Sequence, residues 1–306
     1  MTMLGKHGCK ILVMSLCVSS LVACSTARPI AQAPLEEAVP VAYYDQYLDL
    51  AEQALAHKKY ESAKRLLEKV FLKYPGHVQA RLLVAEMQFS QGNMEMARVS
   101  FKKLVNEQGV KARALQGYGL ALLTTGKADE AEIALKEAME LDPTLWRAWN
   151  GLGYYYDRNQ DWQKSEFSYG QAIALEQNSS ILFNNRGFSR LLQKNTDGAI
   201  IDLIQAIQLD PENTTASLNL QLALATAGRY QQAMSLSAQD VPANGMNNVG
   251  YIAFLKGDYY KAESFLTQAM ETSYWFHEKA WRNLGLLRSQ RQIEDEQSDK
   301  GTSERP

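Results

Sequence analysis

The sequence predicts an all-α fold in which pairs of antiparallel helices repeat along the chain. Segments that start every 34 residues from position 44 align with one another, and their eighth and twentieth positions hold mostly small residues. Glycine or proline recurs where each helix should end, and proline lacks the N–H that a helix interior needs. We expect about seven helix pairs followed by one capping helix at the carboxyl end.

Residues 1–23 are predicted to be a signal peptide and not part of this fold. The first ten residues carry Lys6, Lys10 and no acid, and residues 11–23 are then mostly apolar. That run is too short to span a hydrocarbon core of about 30 Å, but it is typical of a signal-peptide core.

The end of this run resembles the bacterial lipobox, with Leu21, Ala23 and then Cys24. The resemblance implies cleavage before Cys24, acylation of its thiol and, because Ser25 follows, transport to the outer membrane facing the periplasm. An ordinary secretory signal is the alternative. All three cysteines lie within the first 24 residues, so a disulfide framework or thiolate metal site is excluded from the folded body.

The segments on either side of the repeats are predicted to be unstructured. Residues 24–41 combine the lipidated cysteine with a proline-containing tether, and residues 291–306 form a polar, disordered tail. The chain has 32 basic and 34 acidic residues, a net charge of −2. This balance argues against a nucleic-acid partner, which would need a basic excess.

The body of the chain, residues 42–290, holds the repeats. Copies one to six start at residues 44, 78, 112, 146, 180 and 214, copy seven starts early at 243, and copy eight begins near 278. In copy six, Gln221 replaces a small residue, and Pro242 is expected to shorten the second helix and kink the array. The small residues at positions eight and twenty are these: Ala51, Ala85, Gly119, Gly153 and Gly187, then Ala63, Ala97, Ala131, Ser165, Ala199 and Ala233.

This pattern resembles the tetratricopeptide repeat (TPR) from residue 44 to about 290. The resemblance implies a right-handed superhelix in which the first helix of each pair lines a concave groove. Gly92, Gly126, Gly228 and Gly257 fall in the turn between the helices of a pair, where a left-handed backbone is easiest for glycine.

The sequence predicts no enzyme and no cofactor. The four histidines are scattered, and the chain lacks the His-Glu-x-x-His zinc motif, the Gly-x-Ser-x-Gly nucleophile motif and a phosphate loop. We therefore expect no catalytic residue and no metal ligand, and we look for function on the groove.

Amide and apolar side chains recur at the positions that would face the groove. A row of carboxamides offers both donors and acceptors to the backbone of an extended peptide, and aromatic neighbours suit a protein partner. Idle exposure of the amides and partial burial of the apolar residues are the alternatives. The candidate residues are Asn150, Asn184, Asn185, Asn219, Asn247, Asn248 and Asn283, with Tyr154, Phe188, Leu222, Tyr251 and Phe254.

Residues 182–264 contain an Asn-Asn-Arg-Gly helix at 184–187, a shortened copy six and then a second motif, Asn-Asn-x-Gly-Tyr, at 247–251. This order resembles the lipoproteins of the tight-adherence (Tad/Flp) pilus systems. It implies a secretin or pilus-assembly component as partner, with outer-membrane attachment through acyl chains. A type IV pilus pilotin and an adaptor for periplasmic peptidoglycan hydrolases or proteases are the alternatives, and a homodimer stays open.

Overall fold

The computed structural model describes residues 41–236, 242–273 and 277–303. The signal peptide, Cys24 and most of the tether lie outside these residues. The chain divides into residues 1–43 and residues 44–306, and the second unit contains the repeats. Among the described helices, none is long and apolar enough to cross a membrane.

The described residues form fifteen helices and no strands, as the sequence predicts. The helices are α1 (Val41–Ala56), α2 (Tyr60–Lys73), α3 (Val78–Ser90), α4 (Met94–Lys102), α5 (Lys111–Thr124), α6 (Ala128–Leu141), α7 (Trp146–Arg158), α8 (Trp162–Leu175), α9 (Ser180–Leu192), α10 (Thr196–Leu209), α11 (Thr214–Thr226), α12 (Tyr230–Leu236), α13 (Pro242–Leu255), α14 (Tyr259–Thr272) and α15 (Glu278–Ser303). Successive helices pair from α3 with α4 to α13 with α14, and α15 follows alone. Helices α1 and α2 share an apolar cluster that contains Leu48 and Leu67.

The small residues at position eight let the two helices of a pair approach closely. A Cβ atom added to Gly153 would lie 2.7 Å from the Tyr169 ring, and one added to Gly119 would lie 2.6 Å from Leu135 Cγ. Such separations are far below van der Waals contact. The 34-residue pattern of small residues therefore marks the contact line within each pair.

The turn between paired helices adopts the same left-handed backbone whether or not glycine is present. Gly92, Gly126, Gly228 and Gly257 have φ between 77° and 82°. At the equivalent position of copies one, four and five, Lys58, Gln160 and Lys194 have φ of 55°, 56° and 63°. Only the glycine turns could be predicted from the sequence, since lysine and glutamine do not indicate a left-handed backbone.

Copy six remains joined to its neighbours despite its irregular sequence. Gln221 is buried and donates from Nε2 to the carbonyl of Ala233 at 3.2 Å, so its amide bridges positions eight and twenty. Pro242 begins α13, where its missing N–H costs no helical hydrogen bond. One apolar core runs from Ala199 to Leu287, through copy six. The predicted kink concerns residues 237–241, which lie outside the described residues.

The prediction for the carboxyl end was wrong in part. Helix α15 does not end near Gln290 but continues to Ser303, through most of the segment expected to be disordered. Glu294 accepts hydrogen bonds from Tyr259 Oη at 2.6 Å and Gln290 Nε2 at 3.1 Å, and Arg291 pairs with Glu263 at 3.0 Å. The two contacts with α14, through Tyr259 and Glu263, together with helix-favouring Arg, Gln and Glu residues, extend the helix.

Candidate protein-binding groove

The predicted asparagines form hydrogen-bonded chains between neighbouring first helices. Asn185 on α9 donates from Nδ2 to Asn150 Oδ1 on α7 at 2.9 Å. Asn219 on α11 donates in the same way to Asn184 at 2.9 Å, and Asn184 donates to Asn185 at 3.3 Å. One chain of amides thus connects copies four, five and six.

A second chain repeats the arrangement further along the array. Asn283 on α15 donates to Asn247 Oδ1 on α13 at 2.9 Å, and Asn247 donates to Asn248 at 3.3 Å. Each bond between copies runs from position six of one copy to position five of the copy before it. Copy six has Leu218 at position five, so Asn248 in copy seven lacks an amide there to bond. This single leucine separates the two chains.

The chains divide the predicted asparagines into two groups. Asn184 and Asn247 were predicted to bind a partner in the groove. Both are buried, Asn184 to 8% exposure, and they hold neighbouring repeats together. Their burial follows from position five, which lies against the next first helix. Asn150, Asn185, Asn219 and Asn283 are partly buried and Asn248 is exposed. A carboxamide has two N–H groups, so a donor in the chain keeps a second N–H for a ligand.

Four of the predicted residues meet in a cavity of about 540 Å³ that spans copies two to five. Asn150 and Asn185 supply amides, while Tyr154 and Phe188 are 46% and 39% exposed. The apolar wall is completed by residues that the sequence analysis did not select as a set: Phe89, Leu120, Leu123 and Leu192.

Four more predicted residues line a second cavity of about 310 Å³ in copies six and seven. Asn219, Leu222, Asn248 and Tyr251 lie there beside Leu218. Phe254 does not line either cavity. Its ring lies 6.1 Å from that of Tyr259 on α14 and packs against the apolar core, so the alternative of partial burial holds for this residue.

Asp157 is a buried carboxylate in the first cavity that the sequence analysis missed. It is 9% exposed and accepts hydrogen bonds from Ser189 Oγ at 2.6 Å, from Tyr169 Oη at 3.0 Å and from Ser165 Oγ. Burial raises the pKa of Asp157, and nearby Glu166 raises it further, while the three hydroxyl donors lower it. Burial and the Asp157 charge in turn raise the pKa of Tyr169. Serine at position twenty of copy four, where alanine is usual, was the available signal.

Charged pairs rigidify the helices around this cavity. Asp202 on α10 is buried and pairs with Arg186 and Arg190 on α9, each at 2.8 Å. Arg190 also reaches Glu166 on α8 at 2.5 Å. Both ends of this network are occupied by protein partners, so we assign it a structural role.

Two acidic side chains in the amino-terminal part of the groove are paired with an arginine. Arg113 pairs with Glu52 at 2.6 Å and with Glu86 at 2.9 Å, which joins the first helices of copies one to three. Burial raises the pKa of Glu86, and the Arg113 guanidinium opposes this shift.

In the described part of the chain, no group of three or more His, Cys, Asp or Glu residues could hold a metal ion.

Comparison with known families matches the tetratricopeptide repeat to residues 54–117 and to residues 112–145. Among curated proteins, 118 residues are 26% identical to anaphase-promoting complex subunit 3 of Schizosaccharomyces pombe, covering 39% of this chain and 18% of that protein. Another match, of 106 residues, is 28% identical to type IV pilus assembly protein PilF of Pseudomonas aeruginosa, covering 34% of this chain and 42% of that protein. The chain thus spans less than half the length of these relatives.

Solved structures show the same architecture. The Cut9–Hcn1 hetero-tetramer of the APC/C has a TM-score of 0.60 at 18% identity, over 79% of this chain and 49% of that chain. The structure of pilF from Pseudomonas aeruginosa has a TM-score of 0.52 at 18% identity, over 67% of this chain and 95% of that chain. At this identity the likeness concerns the fold alone. Together with the fifteen helices, these findings show a tetratricopeptide-repeat fold.

Proposed function

We propose that this chain is a scaffold that captures a protein partner in its groove, from an outer-membrane attachment facing the periplasm. The observation that carries the proposal is the gathering of amides with exposed aromatic side chains in two cavities on consecutive first helices. Aromatic side chains in pockets that lose their water on binding contribute the most binding free energy at protein interfaces.

An extended peptide is the partner element that fits these cavities best. The second N–H groups of Asn185 and Asn219, and both N–H groups of Asn150, are available to peptide carbonyls. Bonds from amides to a peptide backbone give affinity with little dependence on sequence, while the cavities at Tyr154 and Tyr251 can select side chains.

We further propose that the partner is a secretin or another component of Tad/Flp pilus assembly. The irregular copy six and the two Asn-Asn motifs support this assignment by resemblance, and similarity to a type IV pilus assembly protein supports a pilus role more generally. A type IV pilus pilotin and an adaptor for peptidoglycan hydrolases or proteases are the competing functions.

Capture from outer-membrane extracts tests the choice among these functions. The full chain should retain a secretin or pilus protein, and the double variant Tyr154→Ala and Phe188→Ala should lose most of it. Ile133→Ala, at an apolar side chain that is 69% exposed and outside both cavities, is the matched control and should bind normally. Recovery of a hydrolase or protease in place of pilus components would favour the adaptor function.

The attachment rests on Cys24, and its substitution tests that part separately. Cys24→Ser removes the thiol that acylation requires, and two or three acyl chains are needed for stable anchoring. We expect the variant to leave the outer-membrane fraction and to lose labelling by a palmitate analogue. Unchanged fractionation would contradict the lipid anchor without affecting the groove.

A further inference from the structure

Asp157 in the first cavity is a buried carboxyl group with which no described cationic side chain forms an ion pair. Asp157 receives three hydrogen bonds, all from the neutral hydroxyls of Ser165, Ser189 and Tyr169. Carboxylates this deeply buried are normally paired with a cation, because the hydration they lose must be replaced. Asp202 on α10 differs in this respect, because it has two arginine partners on α9, the helix with which α10 pairs.

The cation that would balance Asp157 has to come from the cavity. Glu166, the other charged residue that acts on it, is also negative. Arg158 lines the cavity as well, but its side chain is exposed, so water weakens its influence. A cationic group that enters the cavity would therefore meet one buried, unpaired carboxylate.

We propose that this cavity binds the lysine side chain of a partner peptide, with the ammonium group on Asp157. The inference rests on the proposed peptide-binding function and specifies the residue that the peptide inserts. The aliphatic part of the lysine packs on the apolar wall, and its ammonium group lies among the rings of Tyr154 and Phe188, which attract cations.

The hydrogen bonds already made by Asp157 favour lysine over arginine. Oδ1 accepts from both serines, whereas Oδ2 accepts only from Tyr169. A carboxylate oxygen has room for about two donors, so one acceptor position remains on Oδ2. Arginine binds carboxylates best with a two-pronged contact to both oxygens, while an ammonium group needs only one.

The size of the cavity is consistent with this ligand. Its volume of about 540 Å³ lies within the range of about 300–1,000 Å³ that is usual for ligand sites. The spare N–H groups of Asn150 and Asn185 line the same cavity and can hold the peptide backbone while the side chain enters.

Titration calorimetry with short capped peptides tests the inference on the full chain in detergent micelles. The probe is acetyl-Ala-Ala-Lys-Ala-Ala-amide, compared with peptides in which norleucine, arginine or glutamate replaces the lysine. Norleucine keeps the aliphatic chain and removes the charge. We expect the lysine peptide to bind at least ten-fold more tightly than the norleucine peptide, with the arginine peptide between them.

The Asp157→Asn variant should reduce the preference for lysine over norleucine to less than two-fold. Glu166→Gln, which removes a neighbouring charge outside the cavity lining, is the matched control and should keep the preference. The comparison of lysine with norleucine on the unmodified protein needs no variant, so it decides the question even if Asp157→Asn folds poorly.

Three outcomes would overturn the lysine site. Equal binding of the lysine and norleucine peptides would show a peptide groove without a cation site, and the proposed function would stand. Tightest binding of the glutamate peptide would assign selectivity to Arg158. No binding of any peptide at millimolar concentration would refute the lysine site, while capture of the whole partner would still be judged by the extract experiment.

Discussion

The left-handed turns give a quantitative test of the repeat geometry, through the substitution of Lys58, Gln160 and Lys194 by glycine. A left-handed backbone costs a residue with a side chain about 1–2 kcal/mol, and glycine avoids that cost. Glycine also lowers the free energy of unfolding by about 0.4–1 kcal/mol, because it gives the unfolded chain more conformational freedom. We therefore expect each substitution to stabilise the protein by about 0.5–1 kcal/mol.

The contacts around these turns support that magnitude. The side chains of Lys58, Gln160 and Lys194 are exposed, so little packing is lost. The backbone bonds are also common to both kinds of turn: Lys194 N–H donates to Leu191 O at 3.0 Å, as Gly92 N–H does to Phe89 O. The three turns lie in separate copies, and their effects should add to about 1.5–3 kcal/mol.

Urea denaturation followed by circular dichroism measures the effect. The triple variant should unfold at a higher urea concentration with an unchanged slope. Glu68→Gly, at an exposed position in the interior of α2, is the control and should cost about 1 kcal/mol because its backbone is helical. A triple variant no more stable than the original protein would refute the assignment of strain to these turns.

Two further predictions concern polar groups beneath the groove. Asn184→Ala breaks bonds to two other asparagines inside the array and should cost about 1–3 kcal/mol in urea denaturation. Asn248→Ala breaks only the bond from Asn247, at an exposed amide, and should cost less, about 0.5–1 kcal/mol; equal costs would contradict the division into structural and exposed amides. Because the pKa of Asp157 is raised in the folded protein, the contribution of Asp157 to stability is greatest below the unfolded pKa of aspartate and falls as pH rises through the folded pKa. Asp157→Asn should therefore flatten the decline of the free energy of unfolding between pH 3 and 8. The same decline in the variant as in the original protein would contradict this prediction.

The repeat period predicted the fold because it records contacts within one copy. Position eight packs against a bulky residue of the second helix within a pair, as Gly153 does against Tyr169, so its small size is a constraint that any single copy reveals. The resemblance to the tetratricopeptide repeat predicted that Asn185 and Phe188 face the groove, since it assigns positions six and nine of the first helix to that side.

Contacts between copies were beyond the reach of that reasoning. The bond from Asn219 to Asn184 depends on how one first helix is offset from the next, which the period does not state. The carboxylate of Asp157 draws its three partners from α8 and α9, and of these only Ser165 departs from the repeat pattern. The extension of α15 likewise depends on Tyr259 and Glu263 of the preceding helix.

Site-specific photo-crosslinking in cells tests the central claim, that the groove binds the protein partner, most directly. A benzophenone amino acid would replace Tyr154 or Phe188 in the first cavity, and Ile133 outside both cavities, in the lipidated full chain. The account predicts adducts with a secretin or pilus-assembly protein from positions 154 and 188 and none from position 133. Adducts with such a protein from position 133 alone would contradict it.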